Sequence, residues 1–222
     1  MLIGLIPARG GSKGVPRKNL QKINGISLLS RGITTLKKVG CERVVVSSED
    51  FEILTEATFS GAESFIRPDE FAQDESSTES VILHFVENSS IQPEDLLLIH
   101  QITSPFLKTE SLKRAIELLT NDVNINSCFS GLPDNSFPWI EDALNIWSPQ
   151  GHSRSHRPRR QELPSRVLET GGFYLARVGA IVDQKCRFPS PTAVTPVSFI
   201  ESLDIDTYQD LLVAEQLSVC FE

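Results

Sequence analysis

The sequence predicts an α/β fold, a Rossmann-like and mostly parallel sheet with helices on both faces. Short apolar, β-branched runs alternate with amphipathic stretches through the first 130 of the 222 residues. Such runs are typical of strands that helices cover on both faces. The length and the 40% hydrophobic content suit one domain with a sizeable core. We therefore expect a single domain over residues 1–222, with an irregular insertion at about 133–165.

The first half of the chain predicts five elements in order. Residues 2–7 form an apolar run typical of a buried strand. Apolar residues at helical spacing predict a helix over 26–39, and Gly40 would end it. The β-branched run 43–47 predicts a second strand. A helix over 50–60 and a short strand at 63–66 complete this half.

The second half is regular at both ends and irregular in between. Ser76 and Glu79 have the spacing of a capping box, which predicts a helix from 76 to about 88. The predicted elements that follow are a strand at 95–100, a helix over 109–119 capped by Thr109, strands at 171–177, 194–200 and 203–205, and a final helix opened by Thr207 and Asp210. Between Gly131 and the strand at 171–177 no periodicity predicts an element.

The charge of the chain is unevenly distributed. The chain holds 21 Lys and Arg against 29 Asp and Glu, a net charge of −8, yet its first 41 residues hold eight basic residues and no acidic one. This distribution predicts a local anion site and argues against general nucleic-acid affinity. No apolar run approaches the roughly 18 residues that cross a bilayer, and the four widely spaced cysteines are expected to be free thiols. We expect a cytoplasmic protein without a signal peptide.

The strongest chemical signal is the glycine-rich loop at residues 8–19, directly after the first predicted strand. Its sequence is Ala-Arg-Gly-Gly-Ser-Lys-Gly-Val-Pro-Arg-Lys-Asn. The glycines let backbone N–H groups approach an anion, and Arg9, Lys13, Arg17 and Lys18 add positive charge. Open α/β sheets bind ligands at this end of a strand. The loop matches neither the Walker A nor the dinucleotide pattern, so it predicts a triphosphate site or, alternatively, a solvated basic turn.

Two further groups of residues carry candidate chemistry. Asp204 and Asp206 would point to the same face of an extended backbone, where a shared Mg²⁺ would relieve their repulsion. The alternative is an ordinary turn before a helix. The basic run at 154–160 either binds a substrate carboxylate through a planar guanidinium, forms a solvated loop or contacts nucleic acid.

Several segments resemble, in the same order, motifs of the CMP-sialic acid synthetase (acylneuraminate cytidylyltransferase) family. They are the glycine-rich loop with the two residues before it, Arg67-Pro-Asp-Glu-Phe-Ala, Gln101-Ile-Thr-Ser-Pro, Arg160-Gln-Glu-Leu-Pro and Ser202-Leu-Asp-Ile-Asp-Thr. The resemblance implies transfer of CMP from CTP to the anomeric hydroxyl of a nonulosonic, sialic-acid-like 2-keto sugar acid. Pyrophosphate would be released, with Mg²⁺ as cofactor.

The resemblance also implies roles for individual residues. The catalytic residues would be Arg9, Lys18 and Asp206, with the metal on Asp204 and Asp206. The nucleotide would be bound by Ala8, Arg9, Gly10, Ser12, Lys13, Asn19, Arg67, Thr78 and Thr103. The sugar acid would be bound by Gln101, Arg160 and Tyr174. The insertion commonly pairs two subunits in this family, so we expect a homodimer whose partners are CTP and a 2-keto sugar acid, and neither nucleic acid nor a membrane.

Two departures from the family pattern widen the range of possible sugar acids. Leu168 stands where many sialic acid enzymes carry a second arginine, and Thr170-Gly171 stands where they have Asn-Gly. Arg166 would compensate if the loop shifts. Legionaminic, pseudaminic and deaminated nonulosonic acids therefore fit as well as N-acetylneuraminate. Two other functions remain open: a Kdo or other sugar nucleotidyltransferase, and a nucleotide or nucleic-acid binding protein that uses Arg154 to Arg160.

Overall fold

The computed structural model describes residues 1–221 and contains one seven-stranded sheet. Its strands are β1 (Leu2–Pro7), β4 (Arg43–Ser48), β5 (Glu63–Ile66), β6 (Leu96–His100), β7 (Ser127–Pro133), β10 (Val167–Arg177) and β11 (Thr192–Pro196). Across the sheet the order is β11-β7-β10-β6-β1-β4-β5. Strand β10 is antiparallel to both of its neighbours, and the other neighbouring pairs are parallel. The predicted mostly parallel sheet is therefore confirmed.

Helices cover both faces of this sheet, as predicted. They are α1 (Leu28–Lys38), α2 (Phe51–Phe59), α3 (Thr78–Glu87), α4 (Thr109–Asn121), α5 (Val178–Gln184) and α6 (Tyr208–Phe221). One apolar core joins the sheet to α1, α2, α4 and α6, and a second joins it to α3 and α5. On α1, Leu29, Ile33 and Leu36 recur at helical spacing and are fully buried, which is how an amphipathic helix attaches to a sheet.

The observed helix starts differ from the predicted ones in their capping residues. Helix α1 begins after Ser27, whose hydroxyl accepts from the N–H of Ser30 at 3.0 Å. The predicted cap at Ser76 is wrong, because Ser77 caps α3 while the Ser76 hydroxyl donates to a backbone carbonyl. Thr109 is the first residue inside α4 and does not cap it. The residues before α1 form a short hairpin of β2 (Lys22–Ile23) and β3 (Ile26–Ser27).

The C-terminal half contains elements that the sequence pattern did not predict. Strand β7 and helix α5 are additions, and β11 starts and ends earlier than the predicted strand at 194–200. The predicted strand at 203–205 is wrong, because the Ile205 N–H donates to the carbonyl of Thr103 outside any ladder. The predicted start of the last helix is confirmed: the N–H groups of Thr207 and Asp210 each donate to the other's side chain.

Residues 134–166 lie outside the main sheet and form a separate surface feature, which we call the insertion. It contains a two-stranded hairpin of β8 (Trp139–Glu141) and β9 (Trp147–Pro149). Its arginines stack on its aromatic rings, with Arg157 4.1 Å from the Phe137 ring centroid and Arg154 5.3 Å from that of Trp139. These cation–π contacts stabilise the insertion with its own residues.

Two expectations concern features outside the sheet. All four cysteines are free thiols, as predicted, with Cys128 buried, Cys220 exposed and the other two half-buried. Across residues 1–221, the structure contains no helix with both the length and the apolar character needed to span a membrane.

Candidate active site

The carboxyl ends of β1, β5 and β6 open onto a polar cleft of about 490 Å³. Four segments far apart in the chain line it: the glycine-rich loop, residues 67–81, the end of β6 and the turn before α6. The sequence-predicted residues that line this cleft are Arg9, Ser12, Lys13, Lys18, Asn19, Arg67, Thr78, Gln101, Thr103, Asp204 and Asp206. The parallel sheet thus brings together most of the predicted site at the edge where such sheets bind ligands.

The glycine-rich loop packs so tightly that two of its glycines are required. A Cβ on Gly10 would lie 2.3 Å from Oδ2 of Asp50, and a Cβ on Gly14 would lie 2.0 Å from the backbone oxygen of Asp206. The buried Asn19 side chain donates to the carbonyl of Arg9 at 2.8 Å and closes the loop on itself. The loop therefore holds its N–H groups and cations in a fixed arrangement beside the C-terminal aspartates.

Glu49, which follows β4, supports this loop from below. Its Oε1 accepts from the N–H of Gly10 at 2.7 Å, and its Oε2 accepts from Nε and Nη2 of the buried Arg67 at 3.1 and 2.9 Å. One carboxylate thus ties the loop to the far wall of the cleft. The sequence analysis missed Glu49, although its place directly after a parallel strand is a signal that could have identified it.

Lys18 connects the two ends of the chain. Its Nζ lies 3.0 Å from Oδ1 of Asp206 and donates to the carbonyl of Ile205 at 2.8 Å. Beside it, the Thr103 side chain hydrogen-bonds with Asp204. The pKa of Asp204 is raised. The main cause is desolvation by the surrounding protein, although the carboxyl still reaches solvent in the cleft, and the charge of Asp206 raises the pKa further. The two carboxylates and Lys18 therefore share one small region.

The residues in this region fit a divalent cation. Asp204 and Asp206 repel each other, and a cation beside both would favour their ionised forms. Mg²⁺ takes one or two carboxylates and completes its shell with phosphate oxygens and water. Within residues 1–221 no three His, Cys, Asp or Glu side chains cluster as a metal site of their own, so a cation here would need oxygens from a bound ligand.

The segment that forms the floor of the cleft begins after a buried, neutral histidine. His100, the last residue of β6, is buried, and its Nδ1 lies 3.2 Å from the carbonyl of Gly172. Burial lowers the pKa of His100 to about 4. The N–H of Gln101 donates to the same carbonyl at 3.0 Å, so β10 fixes the start of the segment that carries Gln101 and Thr103.

Comparison with known proteins agrees with this geometry. Residues 3–149 match the sequence pattern of the family described as "Cytidylyltransferase". The chain belongs to the cytidylyltransferase family. The family resemblance inferred from the sequence motifs is thereby confirmed.

Two curated relatives and one solved structure are similar over nearly the whole chain. N-acylneuraminate cytidylyltransferase A of Danio rerio is 32% identical over 96% of this chain and 49% of its own length. CMP-N,N'-diacetyllegionaminic acid synthase of Legionella pneumophila is 30% identical over 97% of this chain and 95% of its own. The solved structure of CMP:2-keto-3-deoxy-manno-octonic acid synthetase complexed with CTP has a TM-score of 0.74, at 15% identity, covering 99% and 98% of the two chains. The chain thus spans about half the length of the Danio rerio relative.

Asp74 is a cleft residue of this family member that the sequence analysis did not select. Its Oδ1 lies 3.1 Å from Nη1 of Arg9 and its Oδ2 lies 2.7 Å from Nζ of Lys13. The hydrogen bond from Lys13 is the main cause that lowers the pKa of Asp74. Phe71 and Ser76 also line the cleft and were not selected. Nothing in the sequence pattern marked Asp74 as a site residue, because only the fold brings residues 71–76 to the glycine-rich loop.

Some predicted residues lie outside the cleft lining. The Arg17 guanidinium pairs with Asp50 and Glu52 instead of entering the cleft. Ala8 is buried, and its N–H continues the ladder to the carbonyl of Ser47. Gly10 contributes through its backbone, as described above. These residues therefore shape the loop and do not line the cleft.

Tyr174 and Arg160, predicted to bind the sugar acid, lie apart from the cleft. Tyr174 is buried in the core on the α3 side, and its hydroxyl donates to Glu169. The Arg187 guanidinium covers its ring at 4.6 Å. Arg160 is exposed on the insertion and does not line the cleft. One copy of the chain thus brings together most of the residues predicted to bind the nucleotide and the metal, and leaves Tyr174 and Arg160 outside the cleft lining.

Proposed function

We propose that the chain transfers CMP from CTP to the anomeric hydroxyl of a nonulosonic 2-keto sugar acid and releases pyrophosphate. The observation that carries this proposal is the meeting of the glycine-rich loop with Asp204 and Asp206 in one cleft. The names of the Danio rerio and Legionella pneumophila relatives both indicate a nonulosonic acid substrate. The chain spans only about half the length of the Danio rerio relative. The proposed activity therefore rests on the cleft and not on the similarity to that relative.

The loop supplies the cations that the reaction requires. The triphosphate of CTP would lie against Arg9, Lys13 and Lys18, with backbone N–H groups of the loop as further donors. Negative charge grows on the phosphate oxygens as the leaving pyrophosphate separates. Fixed cations therefore stabilise the transition state more than the ground state. Positioning and charge stabilisation account for most of the catalysis in phosphoryl transfers of this kind.

The aspartate pair completes the chemistry. Asp204 and Asp206 would hold Mg²⁺, which when bound supplies positive charge beside the phosphates. The anomeric oxygen forms a bond to the α-phosphorus while the bond between that phosphorus and its bridging oxygen to the β-phosphate breaks. The hydroxyl proton leaves to a carboxylate of this pair. Lys18, which already touches Asp206, keeps that carboxylate in place.

The remaining predicted contacts divide between the nucleotide and the sugar acid. Arg67 and Thr78 line the far wall of the cleft, and Gln101 and Thr103 line its floor. We assign the nucleotide to Arg67, Thr78 and Thr103, together with Ser12 and Asn19 from the loop that Ala8 and Gly10 shape. Gln101 faces the sugar acid in this proposal.

We also propose a homodimer in which Arg160 of one copy reaches the cleft of the other. Arg160 is exposed, and it is not among the residues that line the cleft of its own chain. The insertion that carries it exposes large apolar side chains, Ile140 at 52%, Leu144 at 77% and Ile146 at 53%. Contiguous exposed apolar groups mark interaction surfaces. A bidentate pair between Arg160 and the substrate carboxylate is the chemistry that such a placement would provide.

We assign the reaction to the cytoplasm. CTP is available there, and the four free thiols suit a reducing compartment. The test is the distribution of enzyme and activity after cell fractionation. Recovery of the activity in an extracytoplasmic fraction would contradict this assignment.

Pyrophosphate release with a panel of sugar acids tests the proposed reaction. The purified chain is mixed with CTP, Mg²⁺ and one acid at a time: N-acetylneuraminate, its deaminated analogue, legionaminic acid, pseudaminic acid and Kdo. We expect pyrophosphate and a CMP-sugar of matching mass with at least one nine-carbon acid, and loss of both with excess EDTA. Kdo as the best substrate would favour the sugar nucleotidyltransferase alternative. No turnover, together with salt-dependent RNA or DNA binding, would favour the binding protein.

A further inference from the structure

Asp74 pairs with two cations of the glycine-rich loop. Its two carboxylate oxygens are shared between Arg9 at 3.1 Å and Lys13 at 2.7 Å. The loop that is shaped to bind phosphate oxygens thus contacts an anion of its own chain. Asp74 comes from the opposite wall of the cleft, 65 residues from Arg9 in sequence.

The turn that carries Asp74 is anchored independently of the cations. The Gln73 side chain donates to the carbonyl of Asp69 at 2.8 Å, and the Ser76 hydroxyl donates to that of Glu70 at the same distance. The carbonyl of Gln73 also accepts from Arg9, at 3.4 Å. The turn therefore presents Asp74 to the loop, and Asp74 can let go of the cations without loss of the turn.

The ion pairs of Asp74 are weak enough to exchange. The side chains are 35% exposed for Arg9, 77% for Lys13 and 48% for Asp74. Pairs between exposed side chains contribute little to stability, because water and salt screen their attraction. A triphosphate carries several charges and many more acceptor oxygens than one carboxylate, so it would replace Asp74 at both cations. The displaced carboxylate would then lie beside phosphate oxygens and repel them.

We infer that Asp74 is an intramolecular competitor of the triphosphate, pairing with Arg9 and Lys13 before a polyphosphate binds and giving them up when it does. Asp74 lowers the affinity of the cleft for polyphosphate and takes back the two cations when pyrophosphate leaves. The identity of the polyphosphate as CTP rests on the proposed function. The competition itself needs only a polyphosphate in the cleft.

Calorimetric titration of inorganic tripolyphosphate into the full chain tests this inference. We expect Asp74→Asn to bind tripolyphosphate about fivefold more tightly than the wild type, because the asparagine is isosteric and lacks the competing charge. Glu75→Gln is the matched control. It removes the same charge one residue away, from an exposed side chain that makes no described contact with Arg9 or Lys13, so its affinity should equal that of the wild type.

Three results would overturn the inference. They are a wild type that does not bind tripolyphosphate, an Asp74→Asn affinity that is unchanged or lower, and an equal gain in Glu75→Gln. Asp74→Ala serves as a second variant, and circular dichroism checks that each variant is folded. Asp74→Asn should also lower the KM for CTP in the pyrophosphate assay. Tighter tripolyphosphate binding without any CTP turnover would refute the proposed function alone, and normal turnover without the Asp74 effect would refute this inference alone.

Discussion

The cleft and the insertion are stabilised in opposite ways. In the cleft, charges are held by partners from other elements, as in the buried Arg67 on Glu49 and Lys18 on Asp206. In the insertion, arginines stack on aromatic rings of the same segment. The cleft is therefore arranged by the sheet within a single copy of the chain. The insertion keeps its apolar and cationic groups at the surface, where a second copy can reach them.

The largest effect is expected in the cleft. Asp206→Asn removes one carboxylate of the proposed metal pair and one partner of Lys18, so kcat/KM should fall about 10³-fold. Pyrophosphate release measures it, with Asp183→Asn on the exposed side of α5 as the control of equal charge change. A folded Asp206→Asn variant with full Mg²⁺-dependent activity would remove Asp206 from the mechanism.

The next effect tests whether the insertion takes part in catalysis. Arg160→Ala should lower kcat/KM for the sugar acid about 10²-fold and leave the KM for CTP unchanged, because a bidentate carboxylate pair is lost. Arg160→Lys keeps the charge without the planar fork and should recover only part of the activity. A change confined to the KM for CTP would place Arg160 at the nucleotide instead.

Mixing the two inactive variants shows which copy supplies Arg160. In a mixed dimer of Arg160→Ala with Asp206→Asn, one cleft would combine the intact Asp206 of one copy with the intact Arg160 of the other. Activity should then reappear on subunit exchange. If Arg160 acted within its own chain, each cleft would lack one residue and the mixture would stay inactive.

A smaller effect is expected on assembly. Ile146→Asp places a charge on the exposed apolar surface of the insertion and should weaken the proposed dimer at least about tenfold. Phe59 on α2 is still more exposed, at 87%, so Phe59→Asp is the matched control and should leave the dimer intact. Light scattering over a dilution series measures the mass. A wild type that is monomeric at working concentration would refute the dimer.

The smallest effect concerns the floor of the cleft. In the native state the pKa of His100 is about 4, so its imidazole stays neutral above that pH. In the unfolded chain the same imidazole takes up a proton near pH 6.5. The unfolded state therefore binds more protons between these values, and stability falls as the pH falls. Proton uptake by His100 in the unfolded state should lower the free energy of unfolding by about 1 kcal/mol between pH 7 and 5.5.

Denaturant unfolding at both pH values measures this cost. His100→Asn should show a smaller loss of stability between pH 7 and 5.5 than the wild type. His156→Asn, on the exposed insertion, should lose as much as the wild type. An equal loss in all three proteins would contradict the assignment of the proton to His100.

The comparison also shows what could be predicted from the sequence. A continuous apolar run predicted β1 with its observed bounds, because a buried strand needs apolar side chains on both faces. Strand β7 escaped because its Ser-Cys-Phe-Ser-Gly sequence mixes small polar residues with apolar ones, and only its neighbours in the sheet make it a strand. The helix start at Ser77 was misplaced because adjacent serines offer equivalent caps.

The candidate site could likewise be predicted where its signal lies in neighbouring residues of the sequence. The glycine-rich loop and the aspartate pair could be predicted because their chemistry is written in consecutive residues. Asp74 could not, since it acts through a partner 65 residues away that only the fold brings close. Glu49 was missed although its place directly after β4 is a usable signal. The sequence also could not predict that Arg160 lies outside the cleft lining of its own chain. A motif identifies a residue type, and it does not say which copy of the proposed dimer the residue would serve.

The contact between Lys18 and Asp206 spans 188 positions of the sequence, and this has a consequence for how the protein is made. During synthesis, the glycine-rich loop emerges long before the aspartates that complete the cleft. Contacts of such long range form late in folding, because loop closure must precede them. CTP would then add stability only to chains synthesised past α6. A ribosome-bound chain that ends before residue 204 would carry most of the sheet and no working cleft.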